Sequence, residues 1–172
     1  MQAQAPQAPP KPGPEVRKLA YFVGNWKEAG EVKPGPMGPG GKFTSISKWD
    51  WMSGGFFLEA HIDMTSATGK SKSLGVMGYD PNTKMYTYNE FDSMGGAISA
   101  KGTVDGDTWN WTSDMMMDGK PMKTRVTIKE VSKTEYTFKL ETSTDGNTWT
   151  TGMEATDTKV MPAAPAATPK KN

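Results

Sequence analysis

Tight turns recur through this sequence at short intervals, and they constrain its fold more than any other feature. Asp-Gly dipeptides stand at residues 105–106, 118–119 and 145–146, and Gly or Pro clusters interrupt the chain elsewhere. Asp-Gly between alternating segments is the strongest short-range signal for a β-hairpin. No helical periodicity separates any two of these segments, which excludes parallel βαβ units. The sequence therefore predicts antiparallel strands joined mainly by hairpins.

The segments between the turns alternate with a period of two, as strands with one buried face do. In the clearest run, one face carries the apolar residues Phe56, Leu58, Ala60, Ile62 and Met64. About ten such segments fit before Val160. We predict an all-β fold, a single up-and-down antiparallel β-barrel of about ten strands, because closure leaves no exposed strand edge. A Greek-key sandwich is the alternative, but it would need longer crossovers than the sequence contains.

An apolar segment at residues 15–23 precedes the first strand and is ended by Gly24. Its spacing predicts one or two helical turns, too short to be stable without docking on something. We expect this short N-terminal helix to cap one end of the barrel. The plug is assigned a structural role, and its residues are Leu19, Phe22, Gly24 and Trp26.

Composition sets the limits of the domain and narrows its partners. Residues 1–14 and 161–172 are rich in Pro and Ala, which predicts disordered tails on a barrel domain at 15–160. The N-terminal composition is typical of a tether left after signal-peptide removal, so we expect a periplasmic or secreted protein; a cytoplasmic location stays open. A net charge of +1 gives no case for nucleic acid, and no apolar run is long enough to span a membrane as a helix. A homodimer is left open.

Four segments, in order, resemble the DUF1579 family of uncharacterised bacterial proteins, among calycin or nitrobindin-like β-barrels: residues 19–26, 54–57, 78–81 and 91–95. The resemblance implies a lipocalin-like barrel with an interior cavity and brings no established activity. The link at residues 34–41 is too rich in Pro and Gly for the helical lid of fatty-acid-binding proteins. Nitrobindin-like haem binders use a C-terminal histidine, whereas His61 is the only histidine here. No haem or other cofactor is therefore expected.

Ligand contacts are expected on the inward strand faces. The candidates are aromatic residues, methionines and one acid: Trp49, Tyr86, Tyr88, Glu90, Trp109, Trp111, Met115, Phe138 and Met153. Such residues line cavities for flat or aliphatic ligands, and they also fill small barrels. Trp149 is expected on the same inner wall. The sequence leaves the inward face of residues 84–92 open, with a preference for the tyrosines because outward tyrosines would expose more aromatic area.

Two further features suggest a catalytic or metal-binding site but are not sufficient to predict one. His61 lies on the polar face of its strand, and without a second histidine or any cysteine it predicts neither a catalytic nor a metal site. Residues 115–117 are three methionines, a soft set for copper(I), but neighbours on a strand point to opposite faces. Adaptable packing is the better interpretation of that run.

The sequence thus predicts a protein that binds a small apolar or amphipathic molecule inside its barrel. Two alternatives stay open. One is a small-molecule enzyme of isomerase or lyase type, using Glu90, Tyr86, Tyr88 or His61. The other is a non-catalytic structural or interaction module.

Overall fold

A computed structural model describes residues 10–117 and 119–161. Helix α1 (Pro14–Lys18) runs into a 3-10 turn (Leu19–Phe22), and ten strands follow. The strands are β1 (Gly24–Val32), β2 (Gly41–Trp51), β3 (Leu58–Ser66), β4 (Gly69–Asp80), β5 (Met85–Asp92), β6 (Ala97–Asp105), β7 (Thr108–Met117), β8 (Lys120–Ser132), β9 (Glu135–Ser143) and β10 (Thr150–Lys159). Most of the two predicted tails lies outside the described residues.

The strands form one closed barrel. Each strand pairs antiparallel with its neighbours in the chain, and β1 pairs with β10 to complete the ring. The predicted ten-stranded up-and-down barrel is confirmed. Closure leaves no free edge among these strands, so every strand is paired on both sides.

Alternation decides which side chains face inward. On β2, Phe43, Ser45, Ser47 and Trp49 are buried, and each residue between them is exposed. The cross-strand register extends this inner face around the whole ring, because directly paired residues point to the same side. The most deeply buried side chains gather at the end of the barrel that holds the 3-10 turn, and they are Leu19, Phe22, Trp26, Leu58 and Trp109.

The N-terminal plug is a composite rather than a single helix. Pro14, whose fixed φ suits the first helical position, begins α1. The chain then tightens into the 3-10 turn, where the Val23 N–H donates to the Ala20 carbonyl over 3.3 Å. The Trp26 indole N–H donates to the Phe22 carbonyl over 2.7 Å, which ties the end of this turn to β1.

The third strand begins at Leu58, two residues later than the alternation predicts. A turn delays it: the Met52 N–H donates to the Phe57 carbonyl, and the Gly55 N–H donates to the Met52 carbonyl. The Phe57 ring lies on the outer wall over Gly78, where an added Cβ would meet the ring at 2.4 Å. The apolar side chain of Phe57 therefore packs outside the barrel.

None of the helices in residues 10–117 and 119–161 has the length and apolar character needed to cross a bilayer.

Candidate functional site

The inner wall of the barrel divides into two halves. In the half next to the plug, most inward side chains are buried and form one continuous cluster, with partly buried neighbours such as Trp51 and Tyr79 packed against it. In the half towards the connection between β7 and β8, Phe43, Met122 and Thr124 are buried, but other inward side chains stay partly accessible to solvent, including Met64, Ser73, Met115, Leu140 and Met153. These inward side chains are therefore not sealed from solvent. We call this second half the open lumen.

Four of the predicted cavity residues lie in the filled half. Trp49, Tyr86, Trp109 and Trp111 are buried. The Phe22 ring stands 5.1 Å from the Trp109 ring and 6.1 Å from the Trp49 ring, so the plug occupies the space between them. The Tyr86 hydroxyl donates to the Glu15 carboxylate over 3.0 Å, which holds α1 in place.

The remaining five predicted residues face the open lumen: Tyr88, Glu90, Met115, Phe138 and Met153. Residues Tyr86, Tyr88 and Glu90 share the inner face of β5, the parity preferred from the sequence. The Tyr88 hydroxyl donates to the Glu90 carboxylate over 2.5 Å. Tyr88 leans over Gly75 of β4, where an added Cβ would lie 2.9 Å from the hydroxyl.

A row of polar side chains crosses the inner wall opposite Tyr88. Cross-strand pairing places Tyr136, Asp157, Glu28 and Ser45 side by side on β9, β10, β1 and β2. The Ser45 hydroxyl donates to the Glu28 carboxylate over 2.6 Å. The candidates drawn from the sequence did not include Glu28 or Asp157. Strand alternation could have identified them, since Glu28 follows the inward Trp26 by two positions and Asp157 follows the inward Ala155 by two.

Burial raises the pKa values of the carboxyl and phenol groups in this row. Removal from water and the neighbouring Glu28 carboxylate raise the pKa of Asp157 to about 8, and the Tyr136 hydroxyl opposes part of that shift. The pKa of Glu28 is also raised, first by burial and then by Glu90 across the lumen, while the Ser45 hydrogen bond works against it. The pKa of Tyr136 lies well above its ordinary value, chiefly because the phenol is buried. Near neutral pH the Asp157 carboxyl is therefore predominantly protonated.

Two buried polar atoms on the inner wall have no hydrogen-bond partner among the described residues. They are Oδ2 of Asp157, a residue 4% exposed, and Nε1 of Trp111, a residue 5% exposed. Leaving such an atom unpaired costs about 1–3 kcal/mol. The ring of Trp111 lies 6.2 Å from that of Tyr88, so its unpaired N–H belongs to the layer where the filled half meets the open lumen.

Several residues singled out from the sequence stay outside this layer. His61 is exposed on the outer face of β3, away from Glu90 and Tyr88 on the inner wall. Met116 is 66% exposed on the outside, while Met115 faces inward. The inward prediction for Trp149 is wrong: this residue precedes β10, and the Arg125 guanidinium lies 4.4 Å from its ring centroid. An irregularity in β10 between Thr151 and Met153 breaks the alternation from which Trp149 was placed.

A separate depression of about 530 Å³ lies on the outer wall above Ala29. Its rim is formed by Lys27, Thr44, Ile46, Thr156 and Thr158, whose side chains point away from the lumen. It exists because Ala29 is small between two longer neighbours in register. Glu28 and Ser45, two residues of the polar row, also line this depression.

Close packing around Trp111 yields one testable prediction. The six-membered ring of Trp111 covers Gly102 of β6, and an added Cβ would lie 2.5 Å from it. We expect Gly102→Ala to lower the free energy of unfolding by about 1–3 kcal/mol, because the ring must move in a packed core. Gly35→Ala, where an added Cβ meets nothing within 4 Å, is the matched control. Urea denaturation measures both, and equal midpoints would contradict the packing described.

Together these features define a class: a closed β-barrel, plugged at one end, with a partly solvated lumen and a polar layer between the two halves. The chain belongs to the family described as "Protein of unknown function (DUF1579)", which it matches over residues 11–159. No curated protein matches the chain.

Solved structures share the fold at low sequence identity. Rv2717c from M. tuberculosis superposes with a TM-score of 0.59 at 14% identity, covering 88% of this chain and 100% of that one. The S-type phycobiliprotein lyase CPES from Guillardia theta gives a TM-score of 0.55 at 10% identity, covering 85% and 92%. At these identities the likeness concerns the fold alone.

Proposed function

We propose that this protein binds a small apolar or amphipathic molecule in the open lumen. The observation that carries the proposal is the half of the inner wall where inward side chains stay partly accessible, together with two buried polar atoms without partners among the described residues. A well-packed interior fills its space and pairs its polar groups. A site for a small molecule instead combines apolar walls with a few converging polar groups. The open lumen has both.

The walls suit an aliphatic or flat ligand. Met64, Met115 and Met153 are inward and partly accessible, and methionine adapts its shape to different partners. Phe138 and Tyr88 add aromatic surface in the same half. The polar layer at the base would orient the ligand by its polar end.

A second candidate, an enzyme of isomerase or lyase type, has one observation in its favour. Asp157 keeps a proton near neutral pH beside Glu28, and a carboxyl in that state can serve as a general acid. His61 and Tyr86 take no part in such a site, since one is exposed outside and the other bonds to α1. Turnover of a bound ligand, abolished by Asp157→Asn, would favour this second candidate over simple binding.

Binding is tested by titrating the protein with a panel of lipids and chromophores while following tryptophan fluorescence and thermal melting. The Trp49 and Trp111 rings stand 6.2 Å from Tyr88, so we expect them to report an occupied lumen. A bound ligand should shift the emission and raise the melting temperature, because it binds the folded state alone.

A filled-lumen variant makes this test specific. Ser73 faces the lumen from β4, and Ser73→Phe should abolish binding by occupying the space. Lys72→Phe, one residue away and exposed on the outer wall, is the matched control and should bind as the parent does. No response to any ligand, or equal binding by Ser73→Phe, would refute the proposal.

A further inference from the structure

The inner wall is acidic. Five inward positions of the described strands carry carboxylates, namely Glu28, Glu90, Asp92, Glu130 and Asp157. Inward positions of the same strands hold two lysines, Lys120 and Lys159. Lys159 follows Asp157 by two positions, but its ammonium group donates to the Tyr21 carbonyl over 3.4 Å. Lys120 is exposed in the rim hairpin, and Lys159 lies at the plug end, 4.9 Å from the centroid of the Trp26 ring. The other lysines and arginines of these strands point outward.

Two of the five acids are committed elsewhere. Asp92 accepts the backbone N–H groups of Met94 and Gly96 at the rim, and Glu130 accepts the Trp109 indole N–H. The remaining three, Glu28, Glu90 and Asp157, converge on the polar layer from opposite walls. Their partners in this layer are hydroxyl groups, so no positive charge balances them there among the described residues.

Aromatic faces border the same three acids. The Tyr88 ring lies 6.2 Å from the Trp49 ring and 6.2 Å from the Trp111 ring. The faces of such rings attract cations, most strongly where water is excluded. Carboxylates beside aromatic rings form the combination that recognises a positively charged nitrogen.

We infer that the ligand of the open lumen carries a protonated amine on an apolar body, with the nitrogen seated between Glu28, Glu90 and the unpartnered Oδ2 of Asp157. This inference rests on the proposed function and names the class of its ligand. An ammonium group supplies three donors, enough to reach acceptors on opposite walls. A fatty acid would instead bring a fourth carboxylate into the layer.

The proton inventory agrees with this assignment. Burial and neighbouring carboxylates raise the pKa values of Asp157 and Glu28, which disfavours full negative charge on this layer. Asp157 faces Tyr136 and Glu28, with Tyr21 near the plug, and Glu28 faces Ser45, Glu90 and Tyr88. None of these neighbours is a cation. An ammonium ligand would supply the missing charge and release protons from the pair.

The test compares three ligands of equal length: octylamine, octanol and octanoate. Binding to the full chain is followed by tryptophan fluorescence at pH 8.5, where the amine is still protonated. We expect octylamine to bind at least about tenfold more tightly than octanol, the gain expected from a charge-assisted hydrogen bond. Octanoate should bind more weakly than octanol.

Isosteric variants connect the preference to the named residues. Glu28→Gln and Glu90→Gln should each reduce octylamine affinity about tenfold more than they reduce octanol affinity, because only the ammonium loses a charged partner. Glu59→Gln, on the outer face of β3, is the control and should change neither. If one variant fails to fold, the other still tests the assignment.

The outcomes separate the two claims. Octanol or octanoate binding as tightly as octylamine would overturn the inference while the lumen stayed a binding site. Tight octylamine binding that survives both glutamine variants would also overturn it. If none of the three ligands and no member of the broader panel changed the tryptophan fluorescence or the melting temperature, the proposed function itself would be refuted.

Discussion

Trp26→Ala is expected to lower the free energy of unfolding by about 3–5 kcal/mol. The Trp26 side chain is completely buried, and its ring stands 4.8 Å from that of Tyr136. Its removal would leave a cavity where β1 meets the plug. It would also leave the Phe22 carbonyl without the indole donor that it now binds at 2.7 Å. Urea denaturation followed by circular dichroism measures the change.

Trp149→Ala is the matched control for this experiment. Trp149 lies outside the barrel, where only the stacking of Arg125 is lost. A cation–π contact at a surface contributes about 0.5–1 kcal/mol. Equal losses in the two variants would contradict a structural role for the plug. Retained stability with lost ligand binding in Trp26→Ala would reverse the assignment and place Trp26 in the binding site.

Asp157→Asn is expected to abolish most of a pH dependence of stability. The pKa of Asp157 is about 8 in the folded protein and 3.8 as the ordinary value. Between these two pH values the folded state holds a proton that the unfolded state has lost. Raising the pH through this window therefore favours unfolding. We expect the parent protein to lose on the order of 3 kcal/mol of stability between pH 5 and pH 8.

The amide of the variant cannot ionise, so its unfolding free energy should change much less over the same range. Glu28, whose pKa is also raised, contributes the residual slope in the same direction. Asp114→Asn, exposed on the outer face of β7, is the control and should retain the full pH dependence. Denaturation curves at one-unit pH intervals measure all three proteins. A parent whose stability rises from pH 5 to pH 8 would contradict the burial of Asp157.

The proposed export of the protein stays a prediction. It rests on the composition of residues 2–14, of which residues 2–9 lie outside the described part of the chain.

Much of the candidate site was predictable because the alternation of apolar and polar residues along a strand indicates which side chains point inward. The nine cavity candidates point inward, from Trp49 on β2 to Met153 on β10, whereas Trp149, expected on the same wall, does not. The prediction could not separate the two groups among them. Trp109 is packed against Phe22, whereas Met115 on the same strand faces the open lumen. Distance from the plug decides between those environments, and that distance is a property of the closed ring.

The sequence by itself determined the barrel. Alternation set the strands, Asp-Gly turns set the hairpins, and the absence of crossovers left closure as the way to remove edges. These are local signals, carried by neighbours in the chain. Tertiary structure alone decided the site. Residues 28 and 157 are 129 positions apart, and their carboxyls became neighbours only when β1 paired with β10. That long-range pairing creates the acidic layer and raises the pKa of its members.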